Sequence, residues 1–294
     1  MKLVTIDKNG RMALGIKSDQ GIIDVELASR QLNVVVPSNV MEAIEGGHAA
    51  LESLQKLLDE IPSNGQANYL LEESAISWGP CVTEPKKIIC VGLNYKKHAE
   101  ETNAAIPEYP ILFNKFHNTL TGHRQNITVP DITEKMDYEA ELVIVIGKKA
   151  KAVPKEKALD YVFGYCNVND LSARDLQLRT SQWMLGKICD DFSPLGPYLV
   201  TEDEVGNPNN LKIKTTVNGE VRQSSNTSDM IFHCDEIVSY LSRHFTLYPG
   251  DIILTGTPEG VVLGYPPEKQ VYLRAGDEVS IEIEKLGKLT NRMV

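Results

Sequence analysis

The chain has 294 residues, 42% of them hydrophobic and 24% charged, with 30 basic against 40 acidic side chains and hence a formal net charge of −10. That composition supports a sizeable buried core and excludes disordered or collagen-like classes. The acid excess, with no basic stripe, excludes a nucleic-acid partner, because phosphate-backbone binding draws on clustered Lys and Arg.

Residues 1–75 carry 6 basic and 11 acidic side chains and the remainder 24 and 29, so the first segment is the more acidic per residue. It opens with a strand, an Asn9-Gly10 turn and a second strand at Met12 to Ile16, since Asn-Gly supplies the positive φ of a two-residue hairpin. Ser38 is read as a helix N-cap, Gly46-Gly47 as its stop, and Leu51, Leu54, Leu57 and Leu58 as the buried stripe of a second helix. The expected organisation is a small α+β domain over 1–75, a linker over 76–85 holding Gly79, Pro80 and Pro85, and a catalytic domain over 86–294.

Beyond Pro85 the pattern turns to short β-rich segments: Ile88 to Gly92, Ile111 to Phe116, Tyr138 to Gly147, Val162 to Asp170, Pro197 to Thr201, Leu211 to Val217, Asp251 to Thr255 and Val279 to Glu284. Helices are expected at Asn94 to Thr102, after Pro154, at Ser172 to Arg179 and at Cys234 to His244. Many non-adjacent strands with few helices predict an α+β, mainly β fold, a roll or sandwich rather than a doubly wound sheet. The apolar runs fall well short of the ~20 residues of a membrane-spanning helix. Asp7 interrupts any leader, so a cytoplasmic location is expected. Five dispersed cysteines without a Cys-x-x-Cys pair signal neither a disulfide framework nor a zinc-thiolate site.

Several segments could carry chemistry. On a strand, Glu139 and Glu141 project to one side about 7 Å apart, together with Val143 and Val145. Two carboxylates on a half-buried face repel unless a cation neutralises them; a solvated strand edge is the simpler alternative. Asp170 ends an apolar strand just before a helix and serves equally as a third oxygen ligand or as an N-cap. An all-oxygen set of this kind suits Mg²⁺ or Mn²⁺. If Asn94 caps a helix, His98 and Glu101 share a face, where the carboxylate can orient the imidazole as a general base or form an incidental surface pair. Lys187 is a lone cation in an apolar, Gly-flanked stretch, a candidate for an anionic oxygen or a snorkelling side chain. The Thr255-Gly256-Thr257-Pro258-Glu259-Gly260 loop offers amides and hydroxyls but is neither a P-loop nor a dinucleotide fingerprint.

Taken in order, Gly92-x-Asn94-Tyr95-x-x-His98, Pro110 to Lys115, Asp137-Tyr138-Glu139-Ala140-Glu141-Leu142, Asn169-Asp170-x-Ser172-Ala173-Arg174-Asp175-x-Gln177, Gly186-Lys187, Pro194-x-Gly196-Pro197, Gly250-Asp251 and Thr255-Gly256-Thr257-Pro258-x-Gly260 resemble the fumarylacetoacetate hydrolase family from about Lys86 to the C-terminus. The resemblance implies a mixed β-roll catalytic domain, usually dimeric. It further implies Mg²⁺ or Mn²⁺ on Glu139, Glu141 and Asp170, a His98–Glu101 proton-transfer dyad, Lys187 on substrate oxygens, and Gln177, Thr257 and Arg174 in the binding pocket. The activity so implied is cleavage of a carbon–carbon bond in a small 2-oxo acid, as an acylpyruvate hydrolase or an oxaloacetate-type decarboxylase, through a cation-stabilised enolate. The alternatives are an isomerase or tautomerase of 2-hydroxy-diene or 2-oxo dicarboxylates and, from another class, a non-catalytic metabolite-binding protein.

Overall fold

The computed structural model describes residues 1–62 and 68–294. Its main sheet runs in the order Leu70–Leu71, Gly21–Asp24, Arg11–Ser18, Lys2–Lys8, Ser193–Thr201, Val162–Asn169, Ala140–Ile146, Ile252–Leu254, Ile88–Gly92 and Ile111–Lys115. A five-stranded sheet, Glu220–Asn226, Lys212–Val217, Glu278–Ile283, Gly287–Met293 and Asn126–Ile127, packs on it. The mainly β, mixed-sheet fold is the one expected.

Strand alternation builds two cores on the two faces of the main sheet. Leu142, Ile144 and Ile146 point to the five-stranded sheet with Ile213, Ile281 and Ile283. Val143 and Val145 point the other way, to a layer containing Leu3, Leu14, Ala43, Ile44, Leu54 and Leu57. The helices of the first segment therefore cover one face of a sheet that continues without a break into the later strands, since Lys2–Lys8 pairs antiparallel with Ser193–Thr201. Trp78 and Cys81, between the two, are buried and bonded into the core through Gly79 N to Thr5 O and Cys81 N to Leu195 O.

The Asn9-Gly10 turn forms as expected, with Asn9 at φ 59° and Gly10 at 88°, and a second Asn-Gly turn has Asn218 at 51° and Gly219 at 83°. The helix Val40–Asp59 starts one residue later than read: Asn39 is the N-cap and accepts from Glu42 N, while Glu42 reaches back to Ser38 N. At Gly47 the backbone leaves helical geometry, so a kink stands where a stop was expected. The helix Val25–Leu32, capped by Asp24 and closed by Asn33 in the left-handed region, is an element the patterns did not single out. The stretch after Pro154 is a 3-10 helix, Lys155–Tyr161. The strand after it, Val162–Asn169, and the helix Cys234–His244 lie where expected. All five cysteines are free, four buried and Cys189 partly exposed. Among the described residues no helix is long and apolar enough to cross a membrane.

Candidate active site

Three carboxylates meet at the end of the main sheet. Glu141 lies on the strand Ala140–Ile146, Glu139 just before it, and Asp170 just after Val162–Asn169. Oxygens from the three lie within 4.8 Å of one another. The exposed-edge alternative is excluded, for Glu139, Glu141 and Asp170 are 5%, 3% and 0% exposed. Asn169 sets the first of them by accepting from Glu139 N at 2.9 Å.

Buried anions at this spacing need compensating charge. Lys187 donates to Glu139 Oε2 at 2.6 Å and to Asp170 Oδ2 at 2.8 Å. Lys115 donates to Asp170 Oδ1 at 2.5 Å and to Phe192 O at 2.6 Å, and Arg174 Nη1 reaches Glu139 Oε1 at 2.8 Å. Burial alone would raise the Glu139 carboxyl, but Lys187 and Arg174 hold it down to about 2. Glu141 differs. Burial and then repulsion from Asp170 and Glu139 push it well above the ordinary range, against the weaker pull of Lys187 and of Gly256 N, which donates to its Oε2 at 2.8 Å. Burial would lower Lys187, yet Asp170 and Glu139 raise it overall.

This donor set fits a divalent cation. It is all oxygen, its carboxylate oxygens lie close together, and Glu141 is the member no cation pairs directly, a chemistry suited to Mg²⁺ or Mn²⁺.

The helix Lys96–Glu101 faces the cluster across the cavity. His98 Nδ1 and Glu101 Oε1 are 2.8 Å apart, so the spacing of three does bring the pair together. Asn94 is not its cap. Tyr95 occupies that position without a side-chain bond, and Asn94 instead ties Phe232 and Thr255 together through both ends of its amide. Ser172 and Asp170 are likewise not caps of the next helix, Arg174–Gln177: its N-cap is Ala173, Ser172 Oγ bonds Asp170 O, and Asp170 faces the two lysines. Asn94 and Asp170 are claimed by buried partners from distant segments, Ser172 by the carbonyl two residues before it.

Arg174, Gln177, Thr257, Lys187, His98 and Glu101 all line one cavity of about 700 Å³ with Glu139 and Glu141. Arg174 Nη1 also donates to Gln177 Oε1, Nε donates to Asp137, and Nη2 is buried without a partner. Thr257 accepts from Gln223 Nε2. The loops 103–104 and 264–267 also line the cavity.

Two residues lay within the family-like segments without a role having been read for them. Lys115 ends the strand Ile111–Lys115, where one cation closing an apolar strand was the available signal. Asp137 is fully buried and accepts from Tyr138 N, Val262 N, Leu263 N and Arg174 Nε, a convergence of chain segments that no local pattern reveals.

Residues 87–294 match the fumarylacetoacetate (FAA) hydrolase C-terminal family. The chain is 43% identical over 287 residues to a mitochondrial oxaloacetate tautomerase of Bos taurus, covering 96% of this chain and 87% of that protein. It is 40% identical over 302 residues to an oxaloacetate tautomerase of Bacillus subtilis, covering all of both. Among solved structures it is similar to a maleylpyruvate hydrolase from Sphingobium sp. SYK-6 in complex with manganese(II) and pyruvate, at 27% identity and a TM-score of 0.80, over 100% of this chain and 99% of that one.

Proposed function

Because the chain belongs to the fumarylacetoacetate hydrolase family and is an enzyme of that family, we propose that it holds a divalent cation on Glu139, Glu141 and Asp170 and interconverts the keto and enol forms of oxaloacetate. The observation that carries this reading is the convergence on one cavity of Glu139 and Glu141 from the carboxylate cluster, the His98–Glu101 pair, Lys187 and Arg174. The tautomerase relatives, similar over nearly the whole chain, move the balance from bond cleavage to proton transfer.

A cation in this site supplies charge to oppose that of the substrate's carboxylate and 2-oxo oxygens. The protein's own groups do the rest. Arg174, fixed by Asp137, Glu139 and Gln177, keeps a guanidinium charge at the cavity wall that attracts the C4 carboxylate. Lys187 can turn an ammonium proton from Glu139 or Asp170 toward the oxygen on C2 as negative charge grows there. With Nδ1 engaged by Glu101, His98 has Nε2 left to remove or return the proton on C3.

The test is to follow the ultraviolet absorbance of enol-oxaloacetate with Mn²⁺-loaded protein, with CO₂ release measured in parallel. Accelerated loss of the enol without CO₂ is expected; no acceleration over buffer removes the assignment. Carbon–carbon bond cleavage is the second reading, favoured by the likeness to the maleylpyruvate hydrolase. Formation of two carboxylic acids from an acylpyruvate, or of CO₂ from oxaloacetate, would select it.

A further inference from the structure

The His98–Glu101 pair is held from outside its own helix, and we infer that Gln270 is a positioning residue for the reaction, acting on that pair through the turn against which Glu101 packs. The inference rests on the reading above, in which His98 carries the proton, and adds what keeps its partner in place.

Glu101 spans two segments. Its Oε1 meets His98 Nδ1 at 2.8 Å, and its Oε2 accepts from Gly260 N at 2.9 Å. Gly264 lies against the same carboxyl group, where a Cβ would stand 2.5 Å from the carboxyl carbon and 2.6 Å from Oε2. The position of the 3-10 turn Val262–Gly264 therefore decides where Glu101 points, and Glu101 in turn decides how the imidazole is held. An acid–base group placed in this way is sensitive to displacements below an ångström.

So short a turn has few bonds of its own, Gly264 N to Val261 O and Tyr265 N to Val262 O, each at 3.1 Å. Side chains clamp it at both ends. Asp137 accepts from Val262 N and Leu263 N at the start. At the finish Gln270 Nε2 donates to Leu263 O at 3.2 Å and to Tyr265 O at 2.9 Å, the carbonyls on either side of Gly264. Gln270 Oε1 accepts from Tyr272 OH at 2.9 Å. Residues 266–269 between them are exposed, so the amide ties the turn across a solvent-facing loop to the half-buried Tyr272.

Gln270 lines the cavity, yet a primary amide has two N–H groups and both are engaged by the wall. Its effect on the reaction therefore runs through Gly264 and Glu101. The carboxylate cluster has other supports, Lys187 on Glu139 and Asp170, Lys115 on Asp170 and Gly256 N on Glu141, so loss of the Gln270 bonds leaves it in place.

Gln270→Met keeps the length of the side chain and removes both donors. In the full-length Mn²⁺-loaded protein, kcat for enol-oxaloacetate is expected to fall about tenfold, with calorimetric affinity for oxalate kept within about threefold. Tyr272→Phe, which frees only the acceptor end of the amide, should lower kcat by about threefold. A double-mutant cycle with Glu101→Gln separates positioning from simple support of the fold, because residues that act through one another are non-additive: in the Glu101→Gln background, Gln270→Met should change kcat by less than about twofold. Wild-type kcat in Gln270→Met, an equal fall in both backgrounds, or a loss of oxalate affinity as large as the fall in kcat overturns the inference. If Glu101→Gln alone leaves kcat unchanged, the proton-transfer role of the pair falls and this inference with it; if Glu101→Gln lowers kcat and Gln270→Met adds to it independently, only this inference falls.

Discussion

Lys187 Nζ and Glu139 Oε2 form a buried ion pair at 2.6 Å, and the same ammonium reaches Asp170 Oδ2 at 2.8 Å, so one lysine bridges two of the three candidate cation ligands. In the cation-free protein it does part of what a divalent cation does, by bringing positive charge into the cluster. Removing one partner of a buried pair costs about 3–5 kcal/mol. Lys187→Met is therefore expected to melt several degrees below the wild type in chelator, to regain most of that difference with Mn²⁺, and to turn over at least about a hundredfold more slowly. Differential scanning calorimetry with and without Mn²⁺ reads this, and equal melting of the two chelated proteins would contradict it.

Glu141 makes cation binding pH-dependent. Its pKa in the fold is raised, first by burial and then by Asp170 and Glu139, so below that raised pKa a cation must displace a proton to bind. Mn²⁺ affinity should rise with pH up to the raised pKa, with release of about one proton, read by calorimetry in buffers of different ionisation heat. A binding heat independent of buffer counts against it. The linked stability has opposite signs at two neighbours. The contribution of Glu141 is fully present below the ordinary glutamate value near 4.5 and is lost as pH rises toward its raised pKa. That of Glu139, held at about 2, is present above 4.5 and is lost as pH falls toward 2.

Asp137 sets the direction of Arg174 by accepting from its Nε at 2.8 Å, while binding Val262 N and Leu263 N of the cavity wall. Asp137→Asn leaves one acceptor oxygen where four donors converge. Hydrogen bonds to charged groups contribute about 1.5–3 kcal/mol, so KM for oxaloacetate should rise roughly ten- to a hundredfold. Mn²⁺ affinity should stay within about threefold, because Glu141 and Asp170 are untouched. A loss of Mn²⁺ affinity as large as the rise in KM would show a general collapse of the site instead.

The dyad can be weakened without touching it. Glu101 lies so close to Gly264 that a Cβ there would stand 2.5 Å from the carboxyl carbon, and Glu101 Oε2 also accepts from Gly260 N at 2.9 Å. His98→Gln should lower kcat by about 10²–10⁴ with oxalate binding retained. Gly264→Ala should displace Glu101 and lower kcat by a smaller factor, about tenfold. Gly264→Ala with wild-type kcat would mean that the orientation of His98 does not depend on Glu101.

Strand positions, the Asn-Gly turns and the helix Cys234–His244 were legible in the sequence because period-two alternation and turn chemistry act between near neighbours. The site was legible one residue at a time. Glu139 and Glu141 could be placed on one face and His98 beside Glu101, since those relations are set by strand and helix geometry. The capping alternatives for Asn94 and Asp170 failed, because a capping preference of about 1 kcal/mol yields to buried tertiary partners. Lys115 and Asp137 were passed over because nothing within a few residues of either marks its role.

The sequence by itself determined the kind of fold and, through motifs in family order, the residue types at the site. Only the tertiary structure decided that Lys115, Lys187 and Arg174 share the charge of the carboxylate cluster and leave Glu141 without a cation of its own. It alone decided as well that Asp137 links Arg174 to the cavity wall. Periodicity and turn chemistry are local, whereas the pKa of a buried carboxylate depends on which charges from distant segments the fold brings within a few ångströms, and at what depth below solvent.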